Sequence, residues 1–265
     1  MKYFYGNCYK YRRFVGPDPS EREHLEDLIV RRRIMFASPS TFNDPYDCTP
    51  FFFRGDKPAE DRAHIRRAWE ESRKRAGLPK PSREEIESHV SNVMEKLSTP
   101  EGAAAAFKPC LHDGTGVFCM SQDWRLLTQW AYYADGAKGL CLQYAVKRGE
   151  FDCVFEVEYS NERPRVNITR LLFDSVYQTD ALFAAVIRKA TDWAHEREVR
   201  ALQRKPGIVI HPPNMLVAIM IGIAAEKSDV EWLLDTLKRE NLQVPVYHTE
   251  LSTESYTLER RLIAA

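Results

Sequence analysis

The chain has 265 residues, 44% hydrophobic and 11% aromatic, enough to bury one substantial core. Its 38 Lys and Arg balance 38 Asp and Glu, so no global field recruits nucleic acid or an anionic membrane, and such a partner has to be met locally. The six cysteines (Cys8, Cys48, Cys110, Cys119, Cys141, Cys153) form no C-x-x-C pair, MKYFYGNCYKYRR lacks the apolar core of a secretion signal, and the longest apolar run, from Met215, is shorter than the ~20 residues of a spanning helix. A cytoplasmic location, free thiols and no membrane partner are expected.

In chain order, YFYGNCYKYRRFV alternates bulky and polar residues and predicts an opening strand or hairpin ending at Arg12 and Arg13. Ser20-Glu21-Arg22-Glu23 has the pattern of a capping box, with Leu25, Leu28 and Ile29 on one helical face behind it. RIMFAS predicts a buried strand, and PSTFNDPYD a loop in which Asn43 and Asp44 build an Asx turn or border a pocket. From about 55 to 107 the chain turns charged and helical, with apolar residues at helical spacing on either side of the breaker GLPKPS. This predicts an inserted helical hairpin, either a solvated decoration or a lid or partner surface. Strand GVFCMS, helix DWRLLTQWAYYA and strand GLCLQYAV follow, with DCVFEVEY as a further strand.

The helical spacing of Leu182, Val186, Ala190 and Trp193 then fails, because Arg197 and Arg200 occupy the continuing stripe. An extended segment is expected to begin near Glu196, which would turn Glu196 and Glu198 to one face and Arg197 and Val199 to the other. If the helix continued instead, Glu196 and Arg200 would form an ordinary i,i+4 ion pair. Pro212-Pro213 excludes helix within GIVIHPPNMLVAIMIG, a strand, turn and strand; Ser228-Asp229-Val230-Glu231 predicts a second capping box, and VPVYHTEL and SYTLERRLI close the chain as strands. The sum is a single α+β domain over 1–265 with a mostly antiparallel, split sheet, flanking helices and the insertion. The chain has no P-loop and no G-x-G-x-x-G; His112 has no zinc-type partner spacing, and His195-Glu196 lacks a second histidine, so no metal is predicted.

Four segments, YKYRR, STFNDPYD, GVFCMSQDWRLLTQWAYYADGAKGLCLQY and KATDWAHEREVRAL, together resemble a bacterial family known only as a domain of unknown function. The resemblance spans nearly the whole chain, including VPVYHTEL and YTL, and speaks to fold rather than activity. GVFCMS with the tyrosine helix and GLCLQYAV also looks like the middle of ADP-ribosyltransferases, and EREVRAL with IHPPNMLVAIMIG like their terminal part. The arginine of YKYR would complete the arginine, serine, glutamate pattern of one branch. The chain departs from it in having Cys-Met-Ser where Ser-Thr-Ser stands, and in its large insertion.

That resemblance implies an ADP-ribosyltransferase-like fold and NAD as substrate, with ADP-ribose passed to a protein or nucleic-acid acceptor or to water, as in a toxin or phage-defence effector. Cleaving the nicotinamide bond develops an oxocarbenium-like cation, which needs a fixed carboxylate. Glu198 is the candidate, with Glu196 taking a proton from the nucleophile. Arg12 would hold phosphate or ribose, Ser121 would fix Glu198 or else cap the following helix, and Tyr132 or Tyr133 would stack on nicotinamide. Two other classes fit the sequence: a magnesium nuclease using Asp44, Glu196, Glu198 and Lys189, and a non-catalytic module binding a partner through the helical insertion.

Overall fold

The computed structural model describes residues 2–14, 21–55, 57–147 and 153–264. In chain order its strands are β1 (Gly6–Arg12), β2 (Arg33–Phe36), β3 (Phe51–Phe53), β4 (Gly116–Ser121), β5 (Leu140–Val146), β6 (Cys153–Glu156), β7 (Glu158–Tyr159), β8 (Arg165–Asn167), β9 (Arg188–Lys189), β10 (Glu198–Gln203), β11 (Gly207–Ile210), β12 (Leu216–Ile221), β13 (Val246–Leu251) and β14 (Leu258–Ala264). The helices are α1 (Glu21–Ile29), α2 (Pro58–Arg75), α3 (Arg83–Lys96), α4 (Pro100–Lys108), α5 (Leu127–Tyr133), α6 (Ile168–Phe173), α7 (Ser175–Ile187) and α8 (Lys227–Arg239). Among the described residues no helix is long and apolar enough to cross a membrane.

These elements cluster in two compact units. The first takes Met1–Ala37, Gly116–Tyr159 and Thr191–Ala265; the second takes Ser38–Thr115 and Ser160–Ala190. The helical stretch expected at about 55–107 therefore belongs to a larger unit that also draws on 38–54 and 160–190.

The first unit is built on an eight-stranded sheet in the order β14-β13-β12-β5-β1-β4-β10-β6. Every neighbouring pair is antiparallel except β12 and β13, which α8 connects in parallel. This is the mostly antiparallel α+β arrangement that the interleaved periodicities imply. Alternation along the strands gives each face its own core. On one face Cys8, Leu142, Tyr144, Phe118, Met120, Val199, Ala201 and Ile219 pack with Leu25, Leu28 and Ile29 of α1 and Leu233 and Leu237 of α8. On the other, Tyr11, Cys141, Ala218 and Met220 meet Trp124 and Trp130. Each such large side chain contributes about 1.5–3 kcal/mol of apolar burial.

The sheet narrows between β1 and β4. β1 pairs with β5 along its whole length, from Gly6↔Val146 to Arg12↔Leu140, but with β4 at Tyr9↔Ser121 alone. Beside that narrow join, the Lys10 ammonium donates to the Cys119 carbonyl at 2.7 Å. It thereby takes an acceptor that a continued ladder would have paired with backbone.

In the second unit, α2 and α3 bury Ile65, Ile86, Val90 and Met94 between them, with Trp69 stacked on His89 at 4.3 Å. Ser82 and Glu85 form a true capping box at the start of α3. The two capping boxes expected elsewhere fare differently. Ser20 lies outside the described residues. The Ser228 box is not formed: α8 begins two residues earlier, with Glu226 as its N-cap without a side-chain bond, and Asp229 bonds to Arg22 at 2.6 Å. The helix expected over DWRLLTQWAYYA is also shorter, starting at Leu127, because residues 122–126 turn the chain out of β4 and the Tyr11 hydroxyl and Trp130 indole take the carbonyls of Asp123 and Trp124.

Candidate functional site

The sheet's polar end lies where β4 and β10 start and stop together. Ser121 is the last residue of β4 and Glu198 the first of β10, and the two are opposite each other in the ladder. Beyond Ser121 the chain turns away, so a residue before Glu198 has no strand to pair with. The extended segment consequently begins at Glu198 and not near Glu196. Residues Thr191–Glu196 form a 3-10 turn, and Arg197 links turn to strand in a left-handed conformation, φ +48°. The simple alternation that would have set the two glutamates side by side is broken at that residue.

This corner is held by backbone and side chain together. Ser121 Oγ donates to the Glu196 carbonyl at 2.8 Å, and Gln122 N donates to the Arg197 carbonyl at 2.9 Å. Arg197 reaches Asp123 at 3.0 Å. Ser121 therefore neither caps α5, whose N-cap is Leu126, nor touches a glutamate side chain in the bond it donates; it fixes the backbone under Glu196.

The two carboxylates sit in contrasting surroundings. Glu196 is buried, and its Oε1 accepts the Tyr133 hydroxyl at 2.9 Å. Tyr133 thus touches the acidic pair, whereas its neighbour Tyr132 is two-thirds exposed. Glu198 is also buried and makes a two-point ion pair with Arg200, Nε to Oε1 at 2.7 Å and Nη2 to Oε2 at 3.0 Å. Residues two apart share a strand face, so this pair is a direct product of the extended conformation. The Glu198 amide donates to the Tyr159 hydroxyl at 2.7 Å.

Two further groups belong here that composition and motif do not single out. Burial lowers the Lys10 ammonium to about 8, aided by the Arg12 charge and opposed by Cys119, Glu198 and Glu196. Burial raises the Cys119 thiol, and the Glu198 charge raises it further. The only sequence signal for Lys10 is a cation between tyrosines in an otherwise apolar strand. Strand register puts Arg12 on the pleat face of Cys8 and Lys10, opposite Leu140, while Tyr9 and Ser121 lie on the other face.

Asp44 and Lys189 lie in the second unit. There Asp44 accepts from the Tyr46 amide at 2.9 Å, an Asx turn, and the buried Lys189 lies 3.8 Å from Asp47. Among the described residues no group of three or more His, Cys, Asp or Glu is arranged to hold a metal ion. In comparisons with known proteins, no family model, no curated protein and no solved structure matches the chain.

Proposed function

We propose that the protein is an ADP-ribosyltransferase-like enzyme that takes NAD as substrate, breaks its nicotinamide glycosidic bond and passes ADP-ribose to a macromolecule or to water. The observation that carries this reading is the pair of buried carboxylates at the Glu196–Glu198 corner, one of them bonded to a tyrosine hydroxyl and the other to an arginine. An oxocarbenium-like transition state is stabilised by a fixed negative charge close to the ribose. The electrostatic role is assigned to Glu196, oriented by Tyr133 and by the Ser121 bond to its carbonyl. Glu198 and Arg200 form the buried support for that corner. Arg12 and Lys10 lie on the β1 face opposite that of Ser121 and Glu198, so no phosphate contact at this corner is assigned to them.

Pure protein incubated with NAD labelled in the nicotinamide and adenine rings, with and without cell extract, tests this. Release of nicotinamide by the wild type is expected, with a loss of roughly two to three orders of magnitude in Glu196→Gln and a smaller loss in Tyr133→Phe. No release from the wild type under either condition, or equal release from Glu196→Gln, overturns the reading.

A further inference from the structure

The second unit contains a cavity of about 360 Å³ between the first turn of α2 and the start of α6, lined by polar residues. Its floor holds an unusual group. Asp61 is 6% exposed, yet among the described residues its Oδ2 has no hydrogen-bond partner. A buried carboxylate left in this way is costly unless something donates to it. The cations on the rim are engaged elsewhere: Arg170 pairs with Asp174 at 2.9 Å and Lys57 with Glu60 at 3.0 Å.

Opposite Asp61 stands Asn167. Its Oδ1 caps α6 by accepting from the Thr169 and Arg170 amides, both at 3.1 Å, which fixes the amide orientation and turns Nδ2 towards the cavity as a donor. Gly55 lies between them. A methyl group on Gly55 would lie 3.1 Å from Asn167 Nδ2 and 3.9 and 4.0 Å from the two oxygens of Asp61. Gly55 does not have the positive φ that would demand glycine, so its missing side chain leaves a notch in which one acceptor and one donor of the protein converge on a small volume.

We propose that this notch binds a compact primary ammonium carrying an acceptor oxygen close by, the head group of an α-amino acid. The ammonium supplies donors and positive charge to Asp61, and the neighbouring carboxylate or carbonyl oxygen accepts from Asn167 Nδ2. A simple amine leaves the amide donor unused. The same head group occurs free or at a peptide N-terminus.

Calorimetric titration of the full-length protein with a panel of free L-amino acids tests the proposal. The controls are the matching N-acetyl amino acids, which lack the cation, ethylamine, which lacks the acceptor, and alanyl dipeptides, which present the head group on a peptide. Saturable binding of at least one free amino acid or dipeptide is expected, about tenfold or more tighter than either control; the dipeptide arm separates the two sources. Asp61→Asn should abolish binding, and Gly55→Ala, which fills the notch without touching the carboxylate, should weaken it by about tenfold. If Asp61→Asn fails to fold, Gly55→Ala carries the decision. Absence of binding to every amino acid and dipeptide, or binding unchanged in the folded variants, overturns the proposal.

Discussion

Replacing Glu198 with glutamine leaves the shape of the Arg200 site intact and removes its charge. Arg200 is fully buried, and it meets both carboxylate oxygens of Glu198, at 2.7 and 3.0 Å. Glutamine offers one acceptor and presents an N–H₂ to the other guanidinium nitrogen, donor against donor. Removing one partner of a buried ion pair costs about 3–5 kcal/mol, because the remaining charge stays desolvated. At about 2–4 °C per kcal/mol for a chain of this size, the melting temperature should fall by about 6–20 °C. A charge that far from solvent is poorly screened, so the deficit should persist in high salt. Thermal melts of the wild type and Glu198→Gln measure it. A Glu198→Gln melt indistinguishable from the wild type would show that the pair contributes nothing, and with it would go the assignment of Glu198 to support.

Lys10 gives a pH signature. Its folded value of about 8 lies below the ordinary 10.5, so between those limits the unfolded chain binds more protons and stability rises with pH. Burial of the raised thiols and tyrosines acts in the opposite sense, which is why the useful quantity is the difference between wild type and Lys10→Met. That difference should shift in favour of the wild type by on the order of 2 kcal/mol from pH 8 to 10.5 in urea titrations; a flat difference refutes the buried ammonium. Gly222 marks a close backbone approach, since a Cβ there would collide with the Ala137 carbonyl. Gly222→Ala should therefore lower the yield of folded protein or its melting temperature well beyond Gly77→Ala, where nothing lies within 4 Å and placing a side chain at φ +67° costs about 1–2 kcal/mol.

The sheet was legible because alternation survives in sequence wherever one strand face is buried: YKYR, GVFCMS, GLCLQY and LVAIMI all read as strands and all enter the eight-stranded sheet. Partners distant in sequence were not: RIMFAS and GIVI read as strands, but nothing local shows that they pair across more than 170 positions. Phe51–Phe53 is a strand because β8 runs alongside it, and it was not legible at all. Capping was legible in pattern but not in outcome: the S-x-x-E sequences at Ser20, Ser82 and Ser228 look alike, and of these Ser82 is the one whose box the described structure forms. At the candidate site the sequence signalled the residues and missed their geometry. Nothing local to WAHEREV indicates that β4 ends at Ser121, and that distant fact decides where the extended chain can begin.

That decision also changes what the Glu-x-Glu pattern means chemically. On an uninterrupted strand the two carboxylates would share one environment and repel each other, and either could serve as the working charge. The left-handed Arg197 separates their environments: Glu198 enters the ladder and meets Arg200 two residues along the same face, while Glu196 stays in the turn and meets a neutral hydroxyl. Neighbouring titratable groups whose surroundings differ in this way can divide tasks that identical ones could not. The Ser121 bond to the Glu196 carbonyl then acquires a specific consequence. Ser121→Ala removes the side-chain tie at the turn but leaves both carboxylates and their partners in place, so if the corner geometry rather than the acidic residues alone sustains NAD cleavage, turnover falls while the Glu198–Arg200 pair still holds the melting temperature close to that of the wild type.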